Sequence, residues 1–452
     1  MQMKLTEIAH ALHIEMQGLT ETTITQVVFD SRQAQPGSLF VPLVAARDGH
    51  DFVAAAFENG ASATLWQKDH PLPAGAHNYL PVTDTLEALQ QLSHYYLKKI
   101  NPLVVAITGS NGKTTTKDMT AAILAEKYQV VKTQANHNNE IGVPITILSM
   151  EQSTEVLVVE MGMDHAGELA ALSSLVDPDI AVITMIGEAH IEFFGTRAKI
   201  ADAKMEITQF LKPTGTFIYN GDEPLLRQRA QNLTQEKLTF GRQSSNDLRA
   251  SQIVPTKEQT TFMTNKWPQQ QFLIPMLGDY NVDNALAALS VGARLGVELP
   301  KMQQALAHFQ PTKNRTQWLK AANGAQILSD VYNANPTAMI DVIKNFSRVP
   351  AAGRRLLVLG DMLELGEQAA DMHAQVAQAI NPDQIAAVYL YGDLMKSLQA
   401  ALKQSLPVYY YQLGQMDLLI AALKKDLKAD DMVLLKASNG LHLDQVLAAL
   451  LP

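Results

Sequence analysis

The chain has no cysteine in its 452 residues, which excludes disulfides and thiolate metal sites and suits a reducing compartment. It has no apolar run long enough to span a bilayer, so membrane insertion is not expected. Its opening residues, MQMKLTEIAHALHIEM, break with charge and histidine the apolar core that a signal peptide requires. A cytoplasmic protein is the plain expectation. Long Lys/Arg runs are also missing, and the formal net charge is −9, so the chain has no electrostatic footprint for nucleic acid. Anionic partners must be met by local pockets.

What is present is the composition of a folded chain, with 47% hydrophobic and 18% charged residues. The length exceeds one ordinary core and suggests about three domains. Residues 1–100 hold short strand-like pieces, such as ITQVVFDSR and SLFVPL, and end in DTLEALQQLSHYYLKKI with apolar residues at helical spacing. Asn101 and Pro102 break that pattern. Residues 101–312 then alternate strands with polar loops and helices: LVVAI before Gly109, EVLVVE before Gly162, IAVITMI before Gly187. Such Val/Ile/Leu runs predict a parallel sheet buried on both faces. Residues 313–452 begin a separate open sheet, with AQILSD, RLLVLGD, AAVYLYGD and DMVLLKAS as its strands. The expected class is α/β.

The most informative stretch is VVAITGSNGKTTTKDMTAAIL, residues 104–124. A strand passes through a glycine turn into a helix, a turn that exposes backbone N–H groups at the positive end of a helix dipole. Gly109, Ser110, Asn111 and Gly112 form the turn, Lys113 is placed to reach terminal phosphates, and Thr114 supplies a hydroxyl to a magnesium ion. Ile107 stands where the longer phosphate-loop pattern has its first glycine, so this is the shorter G-x-x-G-K-T form.

In open parallel sheets ligands gather beyond the carboxyl ends of strands. Glu160 lies where VLVVE runs out and His190 just beyond IAVITMIGEAH; a carboxylate and an imidazole there suit Mg²⁺, which keeps phosphate and water among its ligands. Taken singly, each has a plainer reading, a solvated loop acid and a backbone-bonded histidine. In KIADAKMEITQFL, Ile200, Ala203, Ile207 and Leu211 form one expected helical stripe, and Lys204 falls on it. A lysine there snorkels its amine outward, finds a partner for its charge, or is modified. Pattern alone favours snorkelling.

The blocks TGSNGKTTTK, TQANHNNEIGVP, VVEMGMDHAGEL, IGEAHIEFFG, ADAKMEI, NVDNALAA, SDVYNANPTAM and LGDMLELGE, in that order, resemble the Mur ligases of peptidoglycan synthesis across nearly the whole chain. DSR at 30–32, PGSLFVPL, GHDF, YNANP and LGDMLELGE further resemble the branch that adds D-alanyl-D-alanine to UDP-N-acetylmuramoyl-tripeptide. The resemblance implies three domains: an N-terminal UDP-sugar-binding one, a central phosphate-loop ATPase, and a Rossmann-like C-terminal one that closes on ATP and takes the dipeptide.

It further implies that Lys204 is carbamylated and binds Mg²⁺ with Glu160, His190 and Thr114, and that Thr115 lies beside the triphosphate. Asn281 and Asn284 match residues near adenine, Arg315 one that reaches the γ-phosphate, and Asp330 one near the ribose. Ser31 and Arg32 match the uridine diphosphate block, and Asn138 and Asn139 the loop near the muramoyl peptide. Three stretches depart from the family pattern: Tyr280 replaces a histidine, Met185 an asparagine, and KASNG stands for KGSRG. Lys436 and Asp361 are candidates for dipeptide contacts. Two other readings remain open at this point, a different Mur-type or folylpolyglutamate-type ligase and an ATP-binding module without chemistry. The second has no use for Glu160, His190 and a buried Lys204 together.

Overall fold

The computed structural model describes residues 1–15, 21–71, 78–310, 316–402 and 406–452. Its contacts fall into two compact units, the first comprising Met1–Ile107, Lys127–Ala181 and Glu206–Phe217, the second Thr108–Glu126, Val182–Met205 and Ile218–Pro452. Among the described residues no helix is long and apolar enough to cross a membrane.

In the first unit, strands Gln26–Val28, Ser38–Phe40, Ala63–Gln67 and Tyr79–Val82 pair in that order as a parallel sheet. Phe40, Val53, Ala56 and Trp66 are among the residues of its core. The amphipathic stretch forms helix Thr85–Ile100, burying Leu89, Leu92, Tyr96 and Leu97. Asp84 caps it by accepting from the Glu87 N–H, and Lys98 and Lys99 sit at the negative end of its dipole. Asn101, at φ 51°, ends it in the left-handed conformation just before Pro102. Strand Val156–Glu160 then pairs in parallel with Leu103–Thr108 on one side and Val130–Lys132 on the other. Every residue of Val156–Glu160 is buried, as a two-sided sheet demands.

In the second unit, helix Lys113–Ala125 follows the phosphate loop and helix Asp279–Arg294 packs against it. Strands Glu236–Gly241 and Leu248–Pro255 are parallel, but Leu248–Pro255, Thr260–Thr264 and Gln271–Ile274 form an antiparallel meander. This departs from the all-parallel expectation for a physical reason. The links 256–259 and 265–270 are hairpin-length turns that return the chain antiparallel. Glu236–Gly241 and Leu248–Pro255 stay parallel across a link as short because they meet over only two residue pairs, at the end of one strand and the start of the next.

The C-terminal residues build their own sheet, in the order Gln317–Lys320, Gln326–Asp330, Met432–Lys436, Arg355–Gly360, Ala387–Tyr391, Val408–Tyr411. It is parallel except at its first edge, where Gln317–Lys320 runs antiparallel to Gln326–Asp330. Register sets Asp330 directly beside Lys436 at the carboxyl ends of neighbouring strands.

One expected element is shorter than its pattern. The helix carrying Lys204 spans Arg197–Met205 and tightens into a 3-10 turn at Glu206–Thr208, so Ile207 and Leu211 lie beyond it. Both are nonetheless buried, as are Ile200 and Ala203.

Candidate active site

The phosphate loop takes the form its glycines allow. Gly109 and Gly112 adopt φ of 155° and 82°. A Cβ at Gly109 would lie 1.8 Å from Thr184 Oγ1, and one at Gly112 2.3 Å from Asn284 Oδ1. No larger residue fits either place without displacing a polar partner. The end of strand Ile180–Ile183 fastens the loop: the Ser110 N–H donates to the Met185 carbonyl at 3.0 Å, and the Thr184 hydroxyl to the Asn111 carbonyl at 2.6 Å. Gly112 precedes the first helical residue, Lys113, whose ammonium folds back to donate to the Gly109 carbonyl at 2.9 Å. Thr114 and Thr115 follow in the buried first turn.

The loop opens into a cavity of about 490 Å³. Asn111, Gly112 and Thr115 line one side, Asn281 and Asn284 another, and Asp330, Asn333 and Lys436 a third. A volume of this size matches a ligand as large as a nucleotide. The helix start at Asp279 supplies a chain of amides within this wall. Thr116 Oγ1 donates to Asn284 Oδ1 (3.2 Å), Asn284 Nδ2 to Asn281 Oδ1 (3.1 Å), and Asn281 Nδ2 to the Leu277 carbonyl (2.8 Å). These asparagines therefore brace the phosphate-loop helix as well as face the cavity.

Tyr280, the departure from the family histidine, places its hydroxyl 3.2 Å from Thr316 Oγ1, and the Thr316 N–H donates to Asp330 at 3.4 Å. Burial, with Asp330 nearby, pushes its phenol far above the usual range. Lys436 donates to Asp330 Oδ2 at 2.5 Å and to the Asn333 carbonyl at 2.9 Å. Its ammonium thus forms part of this cavity's wall. Asp361 also has structural work, accepting from the N–H groups of Leu394 and Met395 at 3.2 and 2.9 Å.

Sequence reading missed the charged rim of the same cavity. Arg242 pairs with Asp283 at 2.7 Å and Asp279 at 3.3 Å. Burial pushes the Asp283 carboxyl up to about 6, with Arg242 opposing the shift. The signal was there in outline, since Arg242 stands at the end of a strand, but only folding brings Asp279 and Asp283 to it.

The expected magnesium residues are placed as follows. In the second unit Lys204 is 2% exposed, so its amine does not snorkel into water. His190, at φ 63°, precedes the short helix Ile191–Phe194, and its Nδ1 lies 2.5 Å from Glu364 Oε2. That bond holds the Glu364 carboxyl below its usual range. In the first unit Glu160 is 2% exposed at its strand end. Its Oε1 accepts from Asn138 Nδ2 at 2.8 Å, and its N–H donates to Thr133 Oγ1 at 2.9 Å.

The other substrate-loop residues differ in kind. Asn139 turns its Oδ1 to the Ile141 and Gly142 N–H groups at 3.3 and 2.9 Å, closing the turn before helix Gly142–Leu148. Arg32 projects into solvent and pairs with Asp30 at 2.7 Å, while Ser31 is buried behind it. Arg315 lies outside the described residues.

A second cluster of metal-type residues, Asp48, His50 and His70, lies in the first unit. His50 Nε2 accepts the Gln67 N–H at 3.2 Å, which puts its proton on Nδ1, 2.7 Å from Asp48 Oδ1. His70 bridges Asp48 at 2.9 Å and Asp69 at 2.6 Å. Each ring nitrogen of both histidines is so engaged, and the cluster is tied together as a hydrogen-bonded knot. The bonds to Asp48 and then Asp69 raise the His70 pKa. Its pairing therefore stabilises fully below the unfolded histidine value, about 6.5, and is lost as pH rises through the higher folded value. His70→Gln is expected to lower the melting temperature more at about pH 5.5 than at about pH 9; an equal loss at both would show that the imidazolium contributes nothing.

Against known proteins, residues 23–96 match the family model for the Mur ligase family catalytic domain, 107–292 the Mur ligase middle domain, and 314–439 the Mur ligase glutamate ligase domain. The UDP-N-acetylmuramoyl-tripeptide–D-alanyl-D-alanine ligase of Bacillus subtilis (strain 168) is 41% identical over 433 residues, covering 95% of this chain and 94% of its own. The chain belongs to the Mur ligase family. The ligase of the same name from Escherichia coli (strain K12) is 34% identical over 88% of this chain and 87% of its own. Among solved structures, MurF from Acinetobacter baumannii superposes with a TM-score of 0.89 at 28% identity, covering 99% of this chain and 98% of that one. The Thermotoga maritima MurF ligase in complex with ADP gives 0.81 at 28% identity, covering 94% and 96%. These likenesses bear out the α/β Mur ligase fold, with its central phosphate-loop and C-terminal Rossmann-like parts.

Proposed function

We propose that this Mur ligase joins D-alanyl-D-alanine to UDP-N-acetylmuramoyl-tripeptide at the expense of ATP, giving the UDP-muramoyl-pentapeptide of peptidoglycan synthesis. The observation that carries the reading is the phosphate loop opening into a nucleotide-sized cavity walled by Asp330 and Lys436. Likeness to ligases of this name over nearly the whole chain supplies the substrates. We assign residues 1–100 to the sugar nucleotide, 101–312 to ATP, and 313–452 to the dipeptide and to closure on ATP. We place the reaction in the cytoplasm.

A carboxylate does not condense with an amine unaided, because oxide is a poor leaving group and the anion repels the nucleophile. The tripeptide's terminal carboxylate therefore attacks the γ-phosphorus of ATP. A P–O bond to the carboxylate forms, the bond to the β-phosphate oxygen breaks, and ADP leaves. The amine of D-alanyl-D-alanine then attacks the acyl carbon, phosphate departs with the former carboxylate oxygen, and the amine's proton is lost.

Lys113 and Arg315 carry the γ-phosphate's charge in this scheme, and the loop N–H groups orient it, which is the main route by which phosphoryl transfer is catalysed. Asn281 and Asn284 face the base and Asp330 the ribose. Ser31, Arg32, Asn138 and Asn139 are assigned to the sugar nucleotide and its peptide. A magnesium ion held at this chain's hydroxyl, imidazole and carboxylate groups would supply charge neutralisation during phosphoryl transfer. By the family resemblance we assign that cation to the Thr114 hydroxyl, the His190 imidazole and a carbamate on Lys204 in the second unit, and to the Glu160 carboxylate in the first, donor types that suit a hard cation. A carbamate there would place an anion on a side chain that is 2% exposed.

ADP release is expected only with ATP, a UDP-muramoyl-tripeptide and D-alanyl-D-alanine together; tripeptides ending in lysine and in diaminopimelate identify the third residue. Preference for a different amine would move the chain to another branch of the family, and no ADP with any acceptor would leave an ATP-binding module. The intermediate has its own test. With ¹⁸O in the tripeptide carboxylate, turnover should carry label into inorganic phosphate, and label confined to the peptide product rules this route out.

A further inference from the structure

Asn111 stands in the middle of the phosphate loop, and its side chain pairs with another residue far along the chain. Its Nδ2 donates to Asn335 Oδ1 at 3.2 Å, and Asn335 Nδ2 donates back to Asn111 Oδ1 at 2.8 Å. Two amides so arranged form a cyclic pair between residues 224 positions apart. Asn335 is 1% exposed, and its Oδ1 also accepts the Ala338 N–H at 3.0 Å as the N-cap of helix Pro336–Arg348. The cap fixes the amide's orientation, because the atom facing both donors must be oxygen. The Asn111 carbonyl is meanwhile held by Thr184 Oγ1 at 2.6 Å.

Both ends of the Asn111 side chain and its carbonyl are therefore committed. What remains to it for a phosphate is its backbone N–H, whose direction depends on how the residue is held. The loop on either side runs through positive φ at Gly109 and Gly112, a backbone with more freedom than any other. A clamp on the residue between them limits that freedom.

We propose that Asn335 is a positioning residue for ATP: through its amide pair with Asn111 it sets the phosphate loop, so that helix Pro336–Arg348 is mechanically tied to the γ-phosphate site. The inference rests on the nucleotide reading above.

Asn335→Ser tests it, since serine is an equally good N-cap but cannot complete an amide pair. Asn335→Asp is the second variant; it keeps cap and volume while presenting an oxygen to Asn111 Oδ1. ADP affinity by calorimetry, kcat and KM for ATP, KM for D-alanyl-D-alanine, and the nucleotide-free melting temperature are read for each. Expected are a roughly tenfold loss of kcat/KM for ATP and a matching loss of ADP affinity, the size of one or two hydrogen bonds. The melting temperature and the KM for D-alanyl-D-alanine should hold. Adding Asn111→Ala to Asn335→Ser should cost less than about twofold more, as for two residues acting through one contact.

Wild-type ADP affinity in both variants overturns the proposal, as does full additivity of the two substitutions. A fall in melting temperature with equal losses for all substrates also overturns it, because that is the mark of general destabilisation. A wild-type chain that binds no ADP at all would instead bring down the nucleotide reading, and this inference with it.

Discussion

Replacing Lys113 with alanine is expected to lower ADP release at least roughly a hundredfold, the scale seen when one preorganised electrostatic stabiliser is removed. The reason lies in where its charge sits. Lys113 is the first residue of helix Lys113–Ala125, and its ammonium reaches back to the Gly109 carbonyl at 2.9 Å. The charge is thus held over the same turn whose N–H groups would receive the phosphates. During transfer, negative charge builds on the γ-phosphoryl group and the oxygen leaving it, and a cation fixed there needs no rearrangement to meet it. The loss should appear mainly in kcat, because the charge is needed most in the transition state. Lys113→Arg keeps the charge but not the compact ammonium, and should recover only part of the rate. Turnover near wild type in Lys113→Ala would remove the phosphate-loop assignment.

The phosphate loop was legible because everything it needs is local: a strand, two glycines, a lysine and a helix within about twenty residues. The place of Lys204 on a buried stripe was legible for a related reason, though the pattern favoured a snorkelling amine, which its 2% exposure overturns. Its neighbours Ile200 and Ala203 lie on its own helix, so the stripe could be drawn even though the helix stops at Met205. What the stripe could not decide was the fate of the amine, because snorkelling depends on what lies over the helix and not on the helix itself.

Roles that depend on distant partners were not legible. Lys436 pairs with Asp330 across a strand register, and Arg242 with Asp279 and Asp283 through folding. Asn139 matches the family's substrate loop, yet its carbonyl oxygen closes a turn. Asparagine serves both uses equally well, and sequence spacing does not separate them. The antiparallel strands Thr260–Thr264, Gln271–Ile274 and Gln317–Lys320 were missed because such short strands carry little of the continuous apolar run that marks a buried one.

Lys204 carries the other large effect. Its side chain is 2% exposed, and an ammonium buried so far is costly unless compensated. In the proposed reading, carbamylation by CO₂ would replace that cation with an anion whose two oxygens suit magnesium. Lys204→Ala should then abolish most ADP release while the melting temperature and the circular dichroism spectrum stay near wild type, since alanine favours the helix it enters. A small carboxylic acid should restore part of the rate by occupying the vacated space and returning the missing oxygens. The measurement is ADP release by Lys204→Ala with and without acetate at fixed ionic strength, because salt alone changes the rate at a charged site. Acetate must also overcome the entropy of binding as a free molecule, so partial rescue at high concentration is the expected result. Mass spectrometry on the native wild-type protein should show a CO₂ adduct that is lost on acidification and absent from Lys204→Ala. Wild-type activity in Lys204→Ala without acetate would show that the lysine holds no metal.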